Sequence, residues 1–332
     1  MRQLILFTLL ILTSITTQAL EAPPLQMAAL KNLTLESGGV LKQAKLGYRT
    51  AGKLNAAGDN AILYPTWFGG SSKDMFNYGA IDPIDTSKYF VIVVDAFGNG
   101  VSASPSNHKN FPAITIGDMV QAQHQLLTKT LGITQLYAVV GTSMGGMQAF
   151  EWITRHPTFM RKAISLVGSP RLDTYDRLLW QTQLEAIALA EKAGDIQAAN
   201  KVVAMIDALA LFTPEYHARR TPVSQAQAFI HTTQTSDKRD LRDKAAQLEA
   251  MLSHDISRNF DGSMAKAAAA VMAQVLSIVD LQDHMVTPRP AIRFSELLGA
   301  KTLELNTYCG HISSACAGDE INQAVRNFLA AP

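Results

Sequence analysis

The sequence predicts an α/β fold, a mostly parallel sheet flanked by helices and interrupted by a helical lid insertion, and three observations carry that expectation. Short apolar runs, Ala61 to Tyr64, Phe90 to Val94 and Leu136 to Val140, are β-branched or aromatic and each ends in Gly, Pro or Asp. Fully buried strands of a parallel sheet read this way, apolar on both faces. Helix-period segments separate the later runs, and from Arg171 to Ala273 the pattern turns Ala-rich, charged and helical before a strand-like run returns at Val275 to Val279.

The elements follow in chain order. Arg2 precedes the apolar run Leu4 to Leu12, and a polar stretch then ends in Thr17-Gln18-Ala19, the layout of a secretory signal peptide cleaved after Ala19. A membrane anchor needs about 20 apolar residues, and this run is shorter and broken by Thr8. Residues 1–19 are thus a leader, and the expected location is exported, periplasmic or secreted, with no stable membrane anchor. Ala44 to Leu54 alternates as antiparallel edge strands do. Met119, Val120, Leu126, Leu127 and Leu131 suit a helix over Asp118 to Leu131. A helix from Met144 to His156 stops at Pro157, a strand follows from Ala163 to Val167, and Lys301 to Leu305 is strand-like before a last amphipathic helix, Glu320 to Leu329. The domain reading is a core in two parts, 20–170 and 274–332, with the insertion, 171–273, serving as a cap.

Composition excludes several classes. The 332 residues are 47% hydrophobic and 17% charged, in the range of a globular protein with a sizeable core. A formal net charge of +1, with no basic stripe, gives no electrostatic case for nucleic acid or an anionic membrane surface. The chemistry below needs no cofactor and no metal. A homodimer is compatible with the sequence.

Gly141-Thr142-Ser143-Met144-Gly145 matches GxSxG and lies directly after an apolar strand and directly before a helix. That strand-turn-helix context makes it a nucleophile elbow, with Ser143 exposed on a sharp turn; an inert serine in a tight turn is the plain alternative. A serine hydroxyl needs a base to take its proton. His311 is the last of eight histidines and follows a strand, matching the chain order serine, acid, histidine of the α/β-hydrolase fold. His156 reads as a helix-end residue and His284 as a loop residue. The acid belongs in the loop after Val275 to Val279, where Asp280 and Asp283 both qualify, and Asp283 is preferred because it lies deeper in the loop. An oxyanion hole needs two preorganised N–H donors. Met144 supplies one; Trp67, with Phe68 close behind, supplies the other from Pro65-Thr66-Trp67-Phe68-Gly69-Gly70. Cys309 and Cys316 bracket His311. A bridge, which needs α-carbons roughly 4.4 to 6.8 Å apart, would close a small loop and hold His311; two unpaired buried thiols, one at a loop end and one near a helix start, rank slightly ahead of it.

Three stretches resemble the homoserine O-acetyltransferase family: Gly141 through Trp152, Leu46-Gly47-Tyr48-Arg49-Thr50-Ala51-Gly52-Lys53-Leu54-Asn55, and Phe111 through Ile133. The resemblance runs from about residue 44 to 168 and returns around Asp283 and His311. It implies the α/β-hydrolase fold, with nucleophile, base and acid carried onto Ser143, His311 and Asp283. It departs where those transferases place an aspartate after the histidine to hold the acceptor's amino group, because Ile312 stands there, and the insertion has no match to their lid. Hydrolysis of a small-molecule ester or thioester is therefore expected ahead of acyl transfer to an alcohol such as homoserine. A non-catalytic binding protein on the same fold is the third reading, disfavoured because every triad position is filled.

Overall fold

A computed structural model describes residues 21–236 and 239–332; the leader expected over residues 1–19 lies outside the described residues. Eight strands form one sheet: β1 (Gln26–Thr34), β2 (Val40–Ala51), β3 (Ala61–Pro65), β4 (Phe90–Val94), β5 (Leu136–Thr142), β6 (Met160–Leu166), β7 (Gln274–Asp280) and β8 (Lys301–Leu305). Their spatial order is β1-β2-β4-β3-β5-β6-β7-β8. β1 and β2 pair antiparallel, β2 pairs antiparallel with β4, and every pairing from β4 to β8 is parallel. The chain steps outward from β3 to β4 and then returns to lay β5 on the other side of β3. Such a reversal opens a crevice beyond the carboxyl ends of the strands, here where the loop after β3 and the turn after β5 diverge.

The helices among the described residues are α1 (Ser72–Asn77), α2 (Ile116–Gln125), α3 (Met144–Arg155), α4 (Thr174–Ala193), α5 (Ile196–Leu211) and α6 (Pro214–Arg220). They continue with α7 (Ala226–Ser236), α8 (Leu241–Leu252), α9 (Met264–Ala269), α10 (Arg289–Leu298) and α11 (Ser314–Ala330). Six of them, α4 to α9, lie between β6 and β7, and an isolated bridge pairs Arg171 with Asp255 near the two ends of that segment.

Strand alternation explains the unbroken apolar runs. Ala61, Leu63, Ile92 and Val94 pack in one cluster with residues of α2, α3 and α10, including Met119, Phe150, Trp152 and Phe294. Ile62, Tyr64, Val91 and Val93 pack in the other cluster with Met75 and Phe76 of α1 and Ile321, Val325 and Phe328 of α11. Successive side chains point to opposite faces, so both faces are covered and both sets of positions in β3 and β4 are apolar. Each fully buried Ile, Val, Leu or Phe contributes roughly 1.5–3 kcal/mol relative to leaving it exposed.

Several expectations need correction. Ala44 to Ala51 is not an edge: it belongs to β2, which β1 covers, and β1 escaped notice because its alternation breaks at the exposed pair Lys31 and Asn32. The second helix begins at Ile116, because Thr115 and Asp118 form a reciprocal capping box, and it ends at Gln125 in a π-helical turn, Leu126–Thr130. The sixth strand begins at Met160 and the last helix at Ser314, with non-helical angles at Ala317 where two helical pieces meet. α10 was not anticipated. Cys309 and Cys316 are disulfide-bonded, with α-carbons 6.0 Å apart, so the preferred unpaired reading was wrong. The glycine and histidine turn after Cys309 folds back toward α11 and brings the two together.

Candidate active site

Ser143 stands between β5 and α3 at φ 58° and ψ −122°. A residue with a side chain held there stores roughly 1–3 kcal/mol, so its surroundings must hold it. The Ser143 N–H donates to the Leu166 carbonyl at 2.8 Å, and the Ser143 carbonyl accepts from Met147 N–H at 3.0 Å. The flanking glycines permit the turn: a Cβ on Gly145 would lie 2.5 Å from the Pro65 carbonyl oxygen, and one on Gly141 2.1 Å from the Gly145 oxygen. Backbone therefore packs on backbone where α3 meets the end of β3.

His311 lies in a single 3-10 turn, Gly310–Ile312, after β8. Its Nε2 is 2.9 Å from Ser143 Oγ and its Nδ1 is 2.7 Å from Asp283 Oδ2. The other carboxylate oxygen of Asp283 accepts the N–H groups of Met285 at 2.9 Å and Val286 at 3.0 Å. Asp283 is thus fixed, it accepts the Nδ1 proton, and Nε2 is left bare to accept from the serine hydroxyl. Asp280, the other acid open from the sequence, is spent elsewhere: it accepts from Gln282 N–H at 2.9 Å and from the Thr307 hydroxyl at 2.5 Å, tying the end of β7 to the loop after β8. All three members of the Ser143, His311 and Asp283 set are buried.

Met144 opens α3 and is fully buried; Trp67 lies two residues beyond β3 and lines the cavity over Ser143. The loop start is held by three contacts: Thr66 N–H donates to Val94 O at 3.1 Å, Ala96 N–H donates to Thr66 Oγ1 at 3.0 Å, and Gln148 Nε2 of α3 donates to Thr66 O at 3.1 Å. Ser143 and His311 open into a cavity of about 540 Å³, within the range of small-molecule sites. Its walls are mainly apolar, including Trp67, Ile164, Leu211, Ile321 and Val325, and Ile312 is among them.

Sequence reasoning missed several neighbours of the site. Tyr64 and Thr142 line the cavity and share a hydrogen bond of 2.8 Å, and burial pushes the Tyr64 phenol up to about 12, so it stays neutral. Asp207 of α5 reaches the cavity wall. Asp176 of α4 accepts from Thr287 N–H at 2.9 Å, holding the far end of the acid loop, and burial pushes its carboxyl up to about 6. None carried a sequence signal, because each acts from an element whose placement only the fold supplies. His284, set aside as a loop residue, lies 2.9 Å from the Leu209 carbonyl through Nε2, and His156 stacks on His124 with ring centroids 4.2 Å apart.

The α/β-hydrolase fold family matches residues 62–314. The chain belongs to the α/β-hydrolase family. This α/β-hydrolase is 30% identical over 338 residues to an ethyl acetate hydrolase of Pseudomonas veronii, with 93% of this chain and 96% of that one covered. It is 41% identical over 173 residues to a probable esterase of Corynebacterium glutamicum and 40% identical over 163 residues to a homoserine O-acetyltransferase of Solidesulfovibrio magneticus. Those two matches cover 49% and 42% of this chain and span only 50% and 41% of the relatives' lengths. Among solved structures, an acetylester hydrolase from Corynebacterium glutamicum matches with a TM-score of 0.85 and 28% identity, covering 93% of this chain and 96% of that one. The resemblance to homoserine O-acetyltransferases therefore holds, and the same α/β-hydrolase has esterases among its relatives over nearly its whole length.

Proposed function

We propose that this α/β-hydrolase is an exported carboxylic ester hydrolase working through an acyl-enzyme on Ser143. The contact chain from Ser143 Oγ to His311 Nε2 at 2.9 Å and from His311 Nδ1 to Asp283 Oδ2 at 2.7 Å, opening onto an apolar cavity, carries the reading. Ser143 Oγ attacks the ester carbonyl carbon while His311 Nε2 takes its proton, and the carbonyl oxygen becomes an oxyanion against the N–H groups of Met144 and Trp67. Collapse expels the alcohol, which receives the proton from His311, and leaves the acyl group on Ser143. Water, deprotonated by His311, then attacks that acyl carbon; the bond from the acyl carbon to Ser143 Oγ breaks, Oγ takes the proton back from His311, and the acid leaves.

Acetyl esters of small neutral alcohols are the proposed substrates. The names of the full-length relatives, ethyl acetate hydrolase and acetylester hydrolase, support this. So does the cavity, which among the described residues is lined by no Lys or Arg that would meet the phosphates of a CoA thioester. Ile312, on the cavity wall after His311, offers no charge or hydrogen bond to the ammonium group of homoserine. The helices between β6 and β7 serve in this reading as a cap, since Asp207 and Leu211 of α5 form part of the wall. Export is supported by the N-terminal leader pattern and by the Cys309–Cys316 disulfide, which suits an oxidising compartment. None of the described helices is long and apolar enough to cross a membrane.

The test is a panel of acetyl and longer acyl esters, and acetyl-CoA with and without homoserine, on purified protein. Acetate release from small esters with no O-acetylhomoserine is expected. Efficient homoserine acetylation overturns the hydrolase reading and restores the transferase.

A further inference from the structure

We propose that Gln247, on α8 of the helical segment, is a positioning residue for the loop that receives the oxyanion. The proposal rests on the reading above, in which Met144 and Trp67 supply the two N–H donors. The loop between β3 and α1 is held at both ends. Its proximal end, Thr66, is fixed from the sheet and from below by Gln148 of α3, as described. Its distal end is fixed from the opposite side, where Gly69 N–H donates to Gln247 Oε1 at 2.7 Å. The amide of Gln247 spends its other end on the core, Nε2 donating to the Phe97 carbonyl at 2.8 Å in the loop after β4. Trp67 and Phe68 lie between the two clamps.

Gln247 is fully buried, so its amide has no water to substitute for either partner, and both hydrogen bonds fix its orientation. The Phe68 ring is also covered from the same side, by Lys244 Nζ at 5.6 Å and the Arg239 guanidinium at 5.5 Å from its centroid. The helical segment therefore does more than roof the cavity: it sets the angle of the peptide units that face the developing charge. A donor must already be aimed when the oxyanion forms, because reorganisation at that moment is what an enzyme avoids. A loosened loop would bind substrate as before and stabilise the transition state less.

Two variants test this: Gln247→Met, which removes both hydrogen bonds at similar volume, and Gln247→Asn, which withdraws the amide by one methylene. With p-nitrophenyl acetate, both should lower kcat about 10- to 100-fold with KM within about twofold. A methyl trifluoromethyl ketone adds the discriminating readout. Ser143 Oγ bonds to its carbonyl carbon, the carbonyl π pair becomes the oxyanion, and His311 takes the serine proton. Its inhibition constant should rise by the same factor as kcat falls, which a merely structural defect would not produce. If Gln247→Met fails to fold, the Asn variant carries the comparison. Wild-type kcat in folded Met or Asn protein, or unchanged ketone affinity, overturns the proposal. A Ser143→Ala control separates the two readings: if it is inactive while Gln247 variants behave as wild type, only this inference fails; if it is fully active, the acyl-enzyme reading fails first.

Discussion

Replacing Asp283 by Asn changes one atom and should disable the base while leaving the fold in place. In the native site one carboxylate oxygen accepts the backbone N–H groups of Met285 and Val286, at 2.9 and 3.0 Å, and the other accepts His311 Nδ1–H at 2.7 Å. An Asn side chain has one oxygen for these two tasks. Turning it toward His311 would aim its NH₂ group at two buried N–H donors and leave them unpaired, at about 1–3 kcal/mol each. The imidazole, by contrast, can accept from the amide by moving its own proton to Nε2. The amide oxygen therefore stays with Met285 and Val286, and Nε2, now protonated, faces Ser143 Oγ and cannot take its proton. The same change in a serine-protease triad costs about 10⁴ in kcat, equivalent to about 5.5 kcal/mol of barrier at 1.36 kcal/mol per decade. Steady-state hydrolysis of p-nitrophenyl acetate, with a thermal melt as control, reads the effect. Asp283→Asn should lose at least about 10³ in kcat with little change in melting temperature. Asp280→Asn should do the reverse, since the Asp280 carboxylate serves Gln282 and Thr307 and bonds to no side chain of Ser143, His311 or Asp283. Asp283→Asn activity within tenfold of wild type, or an Asp280→Asn variant that folds normally and is the more damaged, would refute the reasoning.

Gly145→Ala places a methyl 2.5 Å from the Pro65 carbonyl and must push α3 from β3, so it should cost roughly 1–3 kcal/mol of stability and about a hundredfold in kcat as Ser143 and the oxyanion loop part. Denaturant melts and ester kinetics check it, and a neutral result on both would contradict the packing argument. Cys309→Ser with Cys316→Ser opens the short loop around His311, which should cost about 2 kcal/mol and lower activity at temperatures where the protein is still folded; unchanged kcat and melting temperature would count against a role in holding the histidine turn. His254 is fully buried, and desolvation lowers its pKa from 6.5 to about 4. The unfolded chain then binds this proton first, so stability should fall as pH drops from about 6.5 to 4, by about 3 kcal/mol at the lower end. Urea melts across that range should show the loss, and His254→Gln should flatten it; an identical acid limb in the variant would show that other groups cause it.

The parallel sheet and the tight turn at Ser143 were legible because both depend on short-range pattern. Buried strands must be apolar on both faces, and a turn that packs backbone on backbone must carry glycine at Gly141 and Gly145. Ser143 and His311 followed from their place after strands. The choice between Asp280 and Asp283 was harder, because the two differ by less than one turn of loop and only the partners, Thr307 for one and His311 for the other, distinguish them. The disulfide was missed for a related reason: the chain reversal around Gly310, at φ 63°, brings Cys309 to Cys316 and leaves no signal beyond a glycine. Asp176, Asp207 and Gln247 were out of reach. They act from helices whose sequence shows only amphipathic spacing, and what they meet is distant in sequence: Thr287 for Asp176, the cavity over Ser143 for Asp207, and Gly69 for Gln247.

The central claim, that Ser143 is acylated by the ester and served by His311, is tested most directly by intact-mass and peptide-mass measurement after exposure to a fluorophosphonate. A single adduct should form on the peptide containing Ser143, hydrolysis of p-nitrophenyl acetate should be lost in step with labelling, and Ser143→Ala should show neither label nor activity. Labelling of a different residue, or a Ser143→Ala protein that hydrolyses the ester at the wild-type rate, would contradict the account.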